Sequence, residues 1–569
     1  MRIVILSGGS GNDALIKGLK KFYPASDIKV IVNAYDNGKS TGVCRAVTKT
    51  LGVSDIRKNH ERMYLAVHGE NADPNVVEFY KNRYDFPKGQ EEAAITAQLT
   101  KWGLSDYNKY CHAFFQNPTA HDYDYRDFSI SNIIYAQMYQ ELGYEKTNHH
   151  FCDRFGIDDF VVLNSFDNVY LQAETASGHI IQDEGEIVCW NNPHDKIVKT
   201  LYQGKSHAGL NPYAIELVAN ADLLIISTGT FWSSLQPTIK YLDFYRYLNQ
   251  SRAKKVWVMN NEEDGDSWGV SNLELIKFMA ETGLDLSDFT LLLNTDARAS
   301  LRLTDGKHHF VALPMGNNHG KHDGEQYARA VLLTYFGLQD ANSYDKILLD
   351  FDDTIWARGK QPDLQAVSQQ NVQLLNDHLA DRTIIISGNA YASIAERLLQ
   401  VYGSLKNFRL AVWADANSTL FQKGKVVDFI DALAIDQHQK KYIDELSRQF
   451  DLDIQTIGQK PVNYKIKPLS PLERKVLVEL INVKYPGKFK AICAGKTTVD
   501  ILNVNNDKAV VFQHCGLDKV KTLFIGDELT KGNDKAIAAL CTKAIQVNDV
   551  LETNIIIKLI AGVKKWFTV

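Results

Sequence analysis

LLDFDDTIW, residues 348–356, is an apolar run that carries two carboxylates two positions apart, Asp350 and Asp352. Side chains at i and i+2 of a strand point to the same face, so both acids can face one site. Two like charges that close need a proton or a cation between them, and a divalent metal ion is the simplest choice. The stretch therefore indicates metal-assisted phosphoryl chemistry. The simpler interpretation is a solvated loop after a strand, in which Asp353 and Thr354 cap the following helix.

Further polar residues follow or open apolar runs in the C-terminal part of the chain. The run TIIIS ends at Ser387 with Gly388 behind it, and the run TLFIG leads to Asp527. Lys508 opens the helix-like run KAVVFQHCGL, and the segment GDELTKGND contains Asp534. A hydroxyl and free backbone N–H groups at a strand end suit a phosphate oxygen. Because strand ends converge at one edge of an open α/β sheet, we expect these residues to join the two acids in one site.

This order of motifs resembles the haloacid dehalogenase superfamily of phosphatases over residues 344–569. The resemblance implies that Asp350 is the nucleophile that forms an aspartyl-phosphate. Asp352 would be the general acid/base that protonates the leaving alcohol and later activates water. Dehalogenases of the superfamily lack the second acid, and its transport ATPases carry threonine there. Asp352 therefore favours hydrolysis of a phosphate monoester.

The resemblance also implies the ligands of the phosphate and of a Mg²⁺ cofactor. They are Ser387, Gly388 and Lys508 for the phosphoryl oxygens, and Asp350, Asp527 and the backbone carbonyl of Asp352 for Mg²⁺. The metal ion would neutralise charge during phosphoryl transfer. Asp534 would support the site by orienting Lys508.

A long segment separates Ser387 from Lys508. It has about 120 residues, which is more than a crossover helix needs. The excess predicts an inserted cap domain at about residues 426–499. Insertion at this point resembles the sugar-phosphatase and phosphomannomutase-like branch, in which the cap selects the substrate. The implied fold is a haloacid dehalogenase-like Rossmannoid core with an α+β cap, and the implied substrate is a sugar phosphate or a similar small phosphorylated metabolite.

The whole chain has 569 residues, which is too long for one hydrophobic core. The polar stretch at residues 336–346 predicts a joint between a domain at 1–338 and a domain at 344–569. With 45% hydrophobic and 23% charged residues and a net charge of −5, the composition gives no reason to expect nucleic acid or a membrane as partner. No signal peptide, long apolar run or CxxC pair occurs, which predicts a cytoplasmic protein with reduced thiols. We also consider a homodimer.

The N-terminal half opens with the strand RIVIL, the glycine turn SGGSGND and the helix-like run ALIKGLKKF. Such a turn lets backbone N–H groups approach a phosphate. Gly9, Gly11 and Ala14 also fit a loose G-x-G-x-x-A pattern, and Asp36 ends the second strand, where a dehydrogenase binds ribose. The loop DNGKSTGVCR, residues 36–45, argues against a dehydrogenase, because a second glycine and hydroxyl loop suits a second phosphate or a sugar.

Several short motifs in order resemble the 2-phospho-L-lactate transferase family and its gluconeogenesis-factor-like relatives, which bind nucleotide sugars. Over about residues 1–335 they are GGSG, DNGKSTG, the D-x-R of VSDIR, the S-x-x-N of FSISNIIYA, NPYAI and the strand end GTFWSS. The resemblance implies a Rossmann-like parallel-sheet domain. The implied site residues are Gly8, Gly9, Ser10, Gly11 and Thr230 at a nucleotide diphosphate, and Asp36, Asn37, Ser40, Asp55 and Asn132 near the reacting groups or a metal.

The chain departs from the family pattern at Asn37, where a second acid is common, and at Val43 and Cys44 before Arg45. It also inserts a polar aromatic stretch at about residues 70–125. These departures bear on metal binding and on the substrate. For each single residue of the set, a structural turn or cap is as good an interpretation as a ligand contact.

The combined hypothesis is a bifunctional enzyme. Its N-terminal domain would transfer a phosphoryl or phosphoester group from a nucleotide diphosphate or nucleotide sugar, and its C-terminal domain would hydrolyse a small phosphorylated metabolite with Mg²⁺. One alternative is a non-catalytic N-terminal sensor that binds a nucleotide sugar and regulates the phosphatase. A second alternative is an NAD(P)-dependent oxidoreductase at the N-terminus.

Overall fold

The computed structural model describes residues 1–9, 11–204, 206–296, 306–316, 320–359, 361–433, 436–450, 454–456, 463–466, 470–494, 498–530 and 534–566. The chain divides into two compact units, Met1–Gln339 and Asp340–Val569. Both are α/β, as the sequence predicts. Across the described ranges, every helix is too short or too polar to span a bilayer.

The first unit is built on a parallel sheet with the strand order β10-β9-β8-β7-β1-β2-β3. Its strands are β1 Ile3–Leu6, β2 Ile28–Val32, β3 Val161–Leu163, β7 Leu223–Ile226, β8 Lys254–Val258, β9 Phe289–Asn294 and β10 His309–Leu313. Three antiparallel strands form a side sheet: β4 Tyr170–Thr175, β5 Ile180–Ile181 and β6 Ile197–Gln203. Every residue of β1 and β7 is buried, as expected for strands with both faces covered. Strand order reverses between β1 and β7, and ligands of such sheets bind beyond the carboxyl ends of the strands at that switch point.

Helices cover this sheet and fill the long connections. They are α1 Asp13–Leu19, α2 Lys39–Thr48, α3 Ser54–His68, α4 Pro74–Lys81, α5 Glu91–Lys101, α6 Asn108–Phe115, α7 Ile130–Leu142, α8 Tyr144–Phe155, α9 Glu184–Val188, α10 Pro212–Asn220, α11 Gln236–Lys240, α12 Tyr245–Gln250, α13 Asn272–Glu281 and α14 Gly324–Phe336. The aromatic insertion at 70–125 forms α4 to α6. Its rings contribute to a buried core: Phe79, Tyr107 and Phe114 are all buried, and Phe79 stacks on Tyr107.

The second unit has a sheet with the strand order β15-β14-β13-β12-β11-β20-β21. Its strands are β11 Lys346–Asp350, β12 Thr383–Ile386, β13 Ala411–Ala414, β14 Thr419–Gln422, β15 Lys425–Phe429, β20 Thr522–Gly526 and β21 Lys543–Gln546. Five strands are parallel, and the β14–β15 hairpin adds an antiparallel edge. The helices of this core are α15 Pro362–His378, α16 Tyr391–Tyr402, α19 Lys508–His514, α20 Asp534–Leu540 and α21 Val550–Trp566. Here strand order reverses between β11 and β20, which places a second switch point there.

A separate α+β layer is inserted between β15 and α19, and we call it the cap. It has an antiparallel sheet, β16-β17-β19-β18, and two helices. Its elements are α17 Gln437–Phe450, β16 Ile454–Thr456, β17 Asn463–Ile466, α18 Pro471–Lys484, β18 Phe489–Ala494 and β19 Thr498–Asn503. The bounds differ from the predicted 426–499, because residues 425–429 pair with β14 as an edge strand of the core sheet and the last cap strand continues to Asn503.

Candidate functional site

The second unit gathers its polar residues at the switch point between β11 and β20. Asp350 is the last residue of β11, and Asp527 follows β20 directly. Ser387 follows the neighbouring strand β12, and Lys508 is the first residue of α19. Since parallel strands end at one edge of the sheet, elements that are far apart in sequence meet there.

Lys508 holds two carboxylates together at the centre of this site. Its Nζ lies 2.6 Å from Asp350 Oδ1 and 2.5 Å from Asp534 Oδ1. All three side chains are buried. Burial alone would lower the pKa of the Lys508 ammonium, but the two carboxylates raise it above its usual value. The lysine is therefore a fixed positive charge, and Asp534 orients it.

Negative charge remains in excess around Asp350. Burial raises the pKa of Asp350 to about 8, Lys508 opposes that rise, and Asp534 adds to it. Burial and the neighbouring Asp534 also raise the pKa of Asp527. A divalent cation would relieve this repulsion, because it favours the charged form of every carboxylate around it.

The arrangement of these acids fits a small hard cation. One oxygen from each of Asp350, Asp527 and Asp534 lies within 4.8 Å of the others. Asp534 Oδ2 is buried without a hydrogen-bond partner, so it is free to serve as a ligand. Oxygen donors of this kind are those that Mg²⁺ prefers. The converging side chains are therefore Asp350 and Asp527, both predicted as metal ligands, with Asp534, for which the sequence predicts only a supporting role.

Asp352 lies beyond the strand, in a turn whose next residue, Asp353, has a φ of 56°. It therefore does not share a strand face with Asp350, on which the sequence argument relied. Both oxygens of its carboxylate accept hydrogen bonds, one from Asn389 Nδ2 and one from Arg397 Nη1 at 2.7 Å. These two donors fix the plane of the carboxylate beside Asp350.

Ser387 and Gly388 occupy the end of β12 as predicted. Ser387 is buried, and its Oγ accepts the backbone N–H of Asn389 at 3.1 Å. Its hydroxyl hydrogen is a donor that a phosphoryl oxygen could accept. The backbone carbonyl of Asn389 in turn accepts the N–H of Asp415, so the loop after β12 is tied to the loop after β13.

The turn after β13 contains three consecutive non-glycine residues in the left-handed region. The φ angles of Asp415, Ala416 and Asn417 are 52°, 58° and 63°, and all three residues are buried. Asn506, just before Lys508, donates to the Ala416 carbonyl at 2.9 Å and accepts from Asn417 Nδ2 at 3.3 Å. Residues held in this region mark places where the surroundings dictate the backbone, and such places cluster at functional sites.

The first unit has a cavity of about 630 Å³ at its own switch point. Gly11 from the turn after β1 and Thr230 from the turn after β7, two of the residues predicted at a nucleotide diphosphate, line it together with Asn260 after β8. Thr230 Oγ1 donates to Ser234 Oγ at 3.0 Å. Ser10 lies outside the described residues.

Three carboxylates meet beside the glycine turn. Burial raises the pKa of Glu184 well above its usual range, and the nearby Asp36 and Asp55 raise it further. Glu184 also shares a side-chain hydrogen bond with Asp36. The pKa of Asp55 is raised by burial and by Asp36, while Lys58, 3.7 Å away, lowers it. This cluster carries more negative charge than the neighbouring lysine offsets, so a proton or a cation is needed there.

Asn37 connects that cluster to the loop after β2. Its Oδ1 accepts the backbone N–H of Glu184 at 2.8 Å. Asn37 stands where the resembling family often has an acid, and here it positions the backbone of Glu184, whose carboxyl reaches Asp36. Asp36 Oδ1 accepts the N–H of Gly38, and the buried Arg45 donates to the carbonyl of Asp36 at 2.9 Å. Arg45 is therefore a structural support of the loop.

The glycines of the turn allow close packing. A Cβ at Gly8 would lie 2.2 Å from Ser234 Oγ, and one at Gly9 would lie 2.4 Å from Asp55 Oδ1. The backbone N–H of Gly9 donates to the Asp55 carboxylate. At Gly9 a carboxylate therefore lies where the sequence predicts a phosphate.

Ser40 and Asn132, both predicted, meet in a buried network. Asn132 Nδ2 donates to Ser40 Oγ at 2.9 Å, and Asn132 Oδ1 accepts from Arg57 Nε at 2.8 Å. Arg57 is the arginine of the D-x-R motif, and burial lowers its pKa. This network joins α2, α3 and α7 behind the carboxylate cluster.

Sequence reasoning missed two residues that complete the sites. Arg397 follows Ile394 by three positions, which places it on the buried face of α16, and a charged residue on such a face is a usable signal. Glu184 had no comparable signal, because only the fold brings the start of α9 to the end of β2.

Comparison with known proteins finds similarity over parts of this chain. The sequence model of the family described as 2-phospho-L-lactate transferase CofD matches residues 3–322. The gluconeogenesis factor of Listeria monocytogenes is 25% identical over 299 residues, which are 52% of this chain and 78% of that protein. A crystal structure of a UPF0052-family protein from Bacillus halodurans aligns with a TM-score of 0.44 and 16% identity over 58% of this chain and 99% of that one. The N-terminally truncated IMP-nucleotidase of Plasmodium falciparum aligns with a TM-score of 0.30 and 17% identity over 41% of this chain and 74% of that one.

The family match covers the glycine turn, the carboxylate cluster and the strand end at Thr230. It extends over more than half of the 569 residues. The resemblance read from the short motifs of residues 1–335 is thereby confirmed, and the chain belongs to the 2-phospho-L-lactate transferase CofD family.

Proposed function

We propose that residues 340–569 form a Mg²⁺-dependent phosphatase of the haloacid dehalogenase type, which hydrolyses a sugar phosphate or a similar small phosphomonoester. The observation that carries this proposal is the position of Lys508 between Asp350 and Asp534 at the switch point, with Asp527 beside them. A fixed ammonium next to a strand-end carboxylate and further acids suits a dianionic phosphate and a metal ion together.

The chemistry follows from the two acids of the opening stretch. A carboxylate oxygen of Asp350 attacks phosphorus, the bond from phosphorus to the leaving oxygen breaks, and Asp352 gives that oxygen a proton. Water then attacks the phosphorus of the aspartyl-phosphate, Asp352 takes a proton from it, and inorganic phosphate leaves with Asp350 restored. Ser387, the N–H of Gly388 and Lys508 bind the phosphoryl oxygens in both steps.

A bound Mg²⁺ would lower the charge on the phosphoryl group as it transfers. Asp350 and Asp527 would hold it, and Asp534 is a further candidate ligand because its Oδ2 has no other partner. The carbonyl of Asp352 completes the set that the sequence predicts.

The cap supports the choice of a small substrate. Its sheet contacts the left-handed turn near the catalytic edge, since Ile492 and Leu502 pack against Ala416. A layer held against the turn after β13 favours a metabolite over a bulky phosphoprotein as substrate.

The variant Asp350→Asn tests the proposal. Hydrolysis of an aryl phosphate in the presence of Mg²⁺ should fall by more than about 10³-fold, because the amide cannot serve as nucleophile. The matched control is Asp353→Asn, since the partly exposed carboxylate of Asp353 pairs with Arg358 and asparagine tolerates its positive φ. Retained activity in a folded Asp350→Asn protein would refute the nucleophile assignment.

We further propose that the first unit transfers a phosphoryl or phosphoester group and binds its donor as a nucleotide diphosphate or nucleotide sugar. Family membership supports a transferase over an NAD(P)-dependent oxidoreductase. The cavity between the turns after β1 and β7 supports a nucleotide site, and the cluster of Asp36, Asp55 and Glu184 supports a group that moves a proton or holds a cation.

Binding and turnover measured on the same protein separate the candidate functions. Calorimetry should detect nucleotide diphosphates or nucleotide sugars and no NAD(P), and incubation with such donors and candidate acceptors should give a product. Tight binding without a product would favour the second candidate, a regulatory sensor. The name of the relatives, gluconeogenesis factor, motivates that candidate. Binding of NAD(P) alone would favour the oxidoreductase.

A further inference from the structure

Helix α18 of the cap exposes a continuous apolar stripe. Leu472, Val476, Leu480 and Val483 are exposed by 73%, 48%, 46% and 79%. Their spacing of four, four and three residues puts them on one face of a helix with 3.6 residues per turn. Scattered apolar side chains on a surface need no explanation, whereas a stripe along one helix marks an interaction site.

The opposite face of α18 is already occupied. Leu477 and Ile481 are buried in the cap core, where they pack with residues of α17, β18 and β19. The helix is thus apolar on two sides, and a helix of that kind is normally covered on both. The exposed side is therefore a candidate interaction surface.

Charged residues border the stripe in a self-complementary order. Glu473 and Lys484 lie along one border, near opposite ends of the helix, and Lys475 and Glu479 lie along the other. A two-fold axis that pairs α18 with its own copy in antiparallel places Glu473 opposite Lys484, and Lys475 opposite Glu479, on both borders. A parallel pair would instead bring the two different borders together, and Lys484 would then lie five residues, about 7.5 Å, along the helix axis from Glu479 of the other copy.

We propose that α18 pairs in antiparallel with α18 of a second copy of this chain, so that the protein is a cap-to-cap dimer. The occupant is a second copy because both borders become complementary under one two-fold axis, which is the requirement for an isologous interface. The stripe supplies the apolar centre and the four charges supply the polar rim and the orientation. The proposal does not depend on either proposed activity.

The test is sedimentation velocity of the full chain over a range of concentrations. The unaltered protein should sediment as a dimer, and Val476→Lys should raise the dissociation constant at least about tenfold, because it puts a charge in the centre of the apolar contact. Val520→Lys is the control, since Val520 is 66% exposed in the same unit but lies outside the stripe. It should leave the dimer unchanged.

A charge exchange tests the orientation. Glu479→Lys should weaken the dimer, and the double variant Glu479→Lys with Lys475→Glu should recover it, because the border formed by residues 475 and 479 is then complementary to its own copy again, with the signs reversed. Both variants keep the apolar stripe and leave Glu473 free to cap α18 with Ser470. A monomeric unaltered protein, or a dimer that neither Val476→Lys nor Glu479→Lys weakens, would overturn the proposal. A dimer that is weakened by Val476→Lys but indifferent to both charge variants would overturn the antiparallel pairing.

Discussion

Arg397 is the nearer of two arginines that face Asp352, since Arg358 Nε lies 3.9 Å from the same carboxylate oxygen. Arg397 donates to one oxygen of that carboxylate at 2.7 Å, while Asn389 donates to the other. We expect Arg397→Met to lower kcat by about 10- to 100-fold with little change in KM, because a misplaced acid/base slows proton transfer more than it weakens binding. Arg397→Lys should recover part of the rate, since a lysine can still donate one hydrogen bond.

Steady-state kinetics with an aryl phosphate measures both effects. Arg409→Met is the control, because Arg409 forms an exposed ion pair with Asp381. Arg397 acts through Asp352. An increase in KM as large as the decrease in kcat, or no change in either, would therefore contradict its positioning role.

Asp167 is a structural carboxylate with a measurable pH signature. It accepts hydrogen bonds from Ser206 Oγ, from the N–H groups of His207 and Ala208, and from the Tyr241 hydroxyl. Burial alone would raise its pKa, but these bonds lower the pKa of Asp167 to about 2. In the unfolded chain the pKa is about 3.9, so the stabilisation is complete above that pH and is lost as the pH falls towards 2.

We therefore expect Asp167→Asn to lower the thermal midpoint of the first unit at neutral pH, and the difference from the unaltered protein to shrink between about pH 4 and pH 2. Scanning calorimetry at several pH values measures it. Parallel curves for the two proteins across that window would show that Asp167 does not carry the effect.

At single residues, the sequence predicts those groups that a strand end delivers. Asp350, Ser387 and Asp527 each follow an apolar run, and the parallel sheet then brings them together. Arg397 and Glu184 do not directly follow a parallel strand, so this rule does not predict them. Arg397 reaches Asp352 from the second turn of a helix, and Glu184 comes from a short helix whose position depends on the side sheet.

Among the described elements, the left-handed turn after β13 contacts the cap beside the switch point of the second unit. Asn506 holds it through Ala416 and Asn417 and lies two residues before Lys508. We expect Asn506→Ala to destabilise the second unit by about 1–3 kcal/mol, since it leaves a buried carbonyl and a buried amide without partners. KM for an aryl phosphate, the substrate of the proposed phosphatase, should also rise, because the contact between the cap and this turn loosens.

Asn505→Ala is a matched control, because the neighbouring Asn505 is exposed and alanine keeps the backbone N–H that donates to Asn503 Oδ1. Urea unfolding and steady-state kinetics on both variants measure the two effects. Equal stability and equal KM in the two variants would exclude Asn506 as the link.

The bounds of the cap show which element boundaries cannot be predicted from the sequence. The strand β15 has Val426 and Val427 exposed by 45% and 53%, so it lacks the alternation of a half-buried strand. Its assignment to the core sheet comes from pairing with β14, a non-local contact that periodicity does not record. Strands buried on both faces, such as β1 and β20, are predictable because their whole run is apolar.

At the scale of the molecule, each unit has its own core and its own switch-point site. We expect two thermal transitions, and Mg²⁺ should shift only that of the second unit to higher temperature. At a hundredfold excess over its dissociation constant, Mg²⁺ should raise the free energy of unfolding of that unit by about 2.7 kcal/mol. Asp527→Asn should abolish the shift, whereas Asp345→Asn, at a side chain that is 67% exposed, should keep it. Scanning calorimetry with and without Mg²⁺ measures this, and an undiminished shift in Asp527→Asn would remove Asp527 from the metal site.

The fusion of the two units in one chain raises the question of whether the sites communicate. In a bifunctional enzyme with independent sites, a saturating nucleotide sugar should change kcat/KM of the phosphatase by less than about twofold. In a sensor, coupling of about 1–3 kcal/mol would change kcat/KM by about 5- to 150-fold. Thermodynamic reciprocity would then require the phosphatase substrate to change the affinity for the nucleotide sugar by the same factor by which the nucleotide sugar changes the affinity for that substrate. We expect the independent case, because each site is built from residues of its own unit alone. Asp350→Asn makes the comparison clean: it should retain nucleotide-sugar binding by calorimetry while hydrolysis is lost, and a substrate-dependent change in that binding would establish the sensor instead.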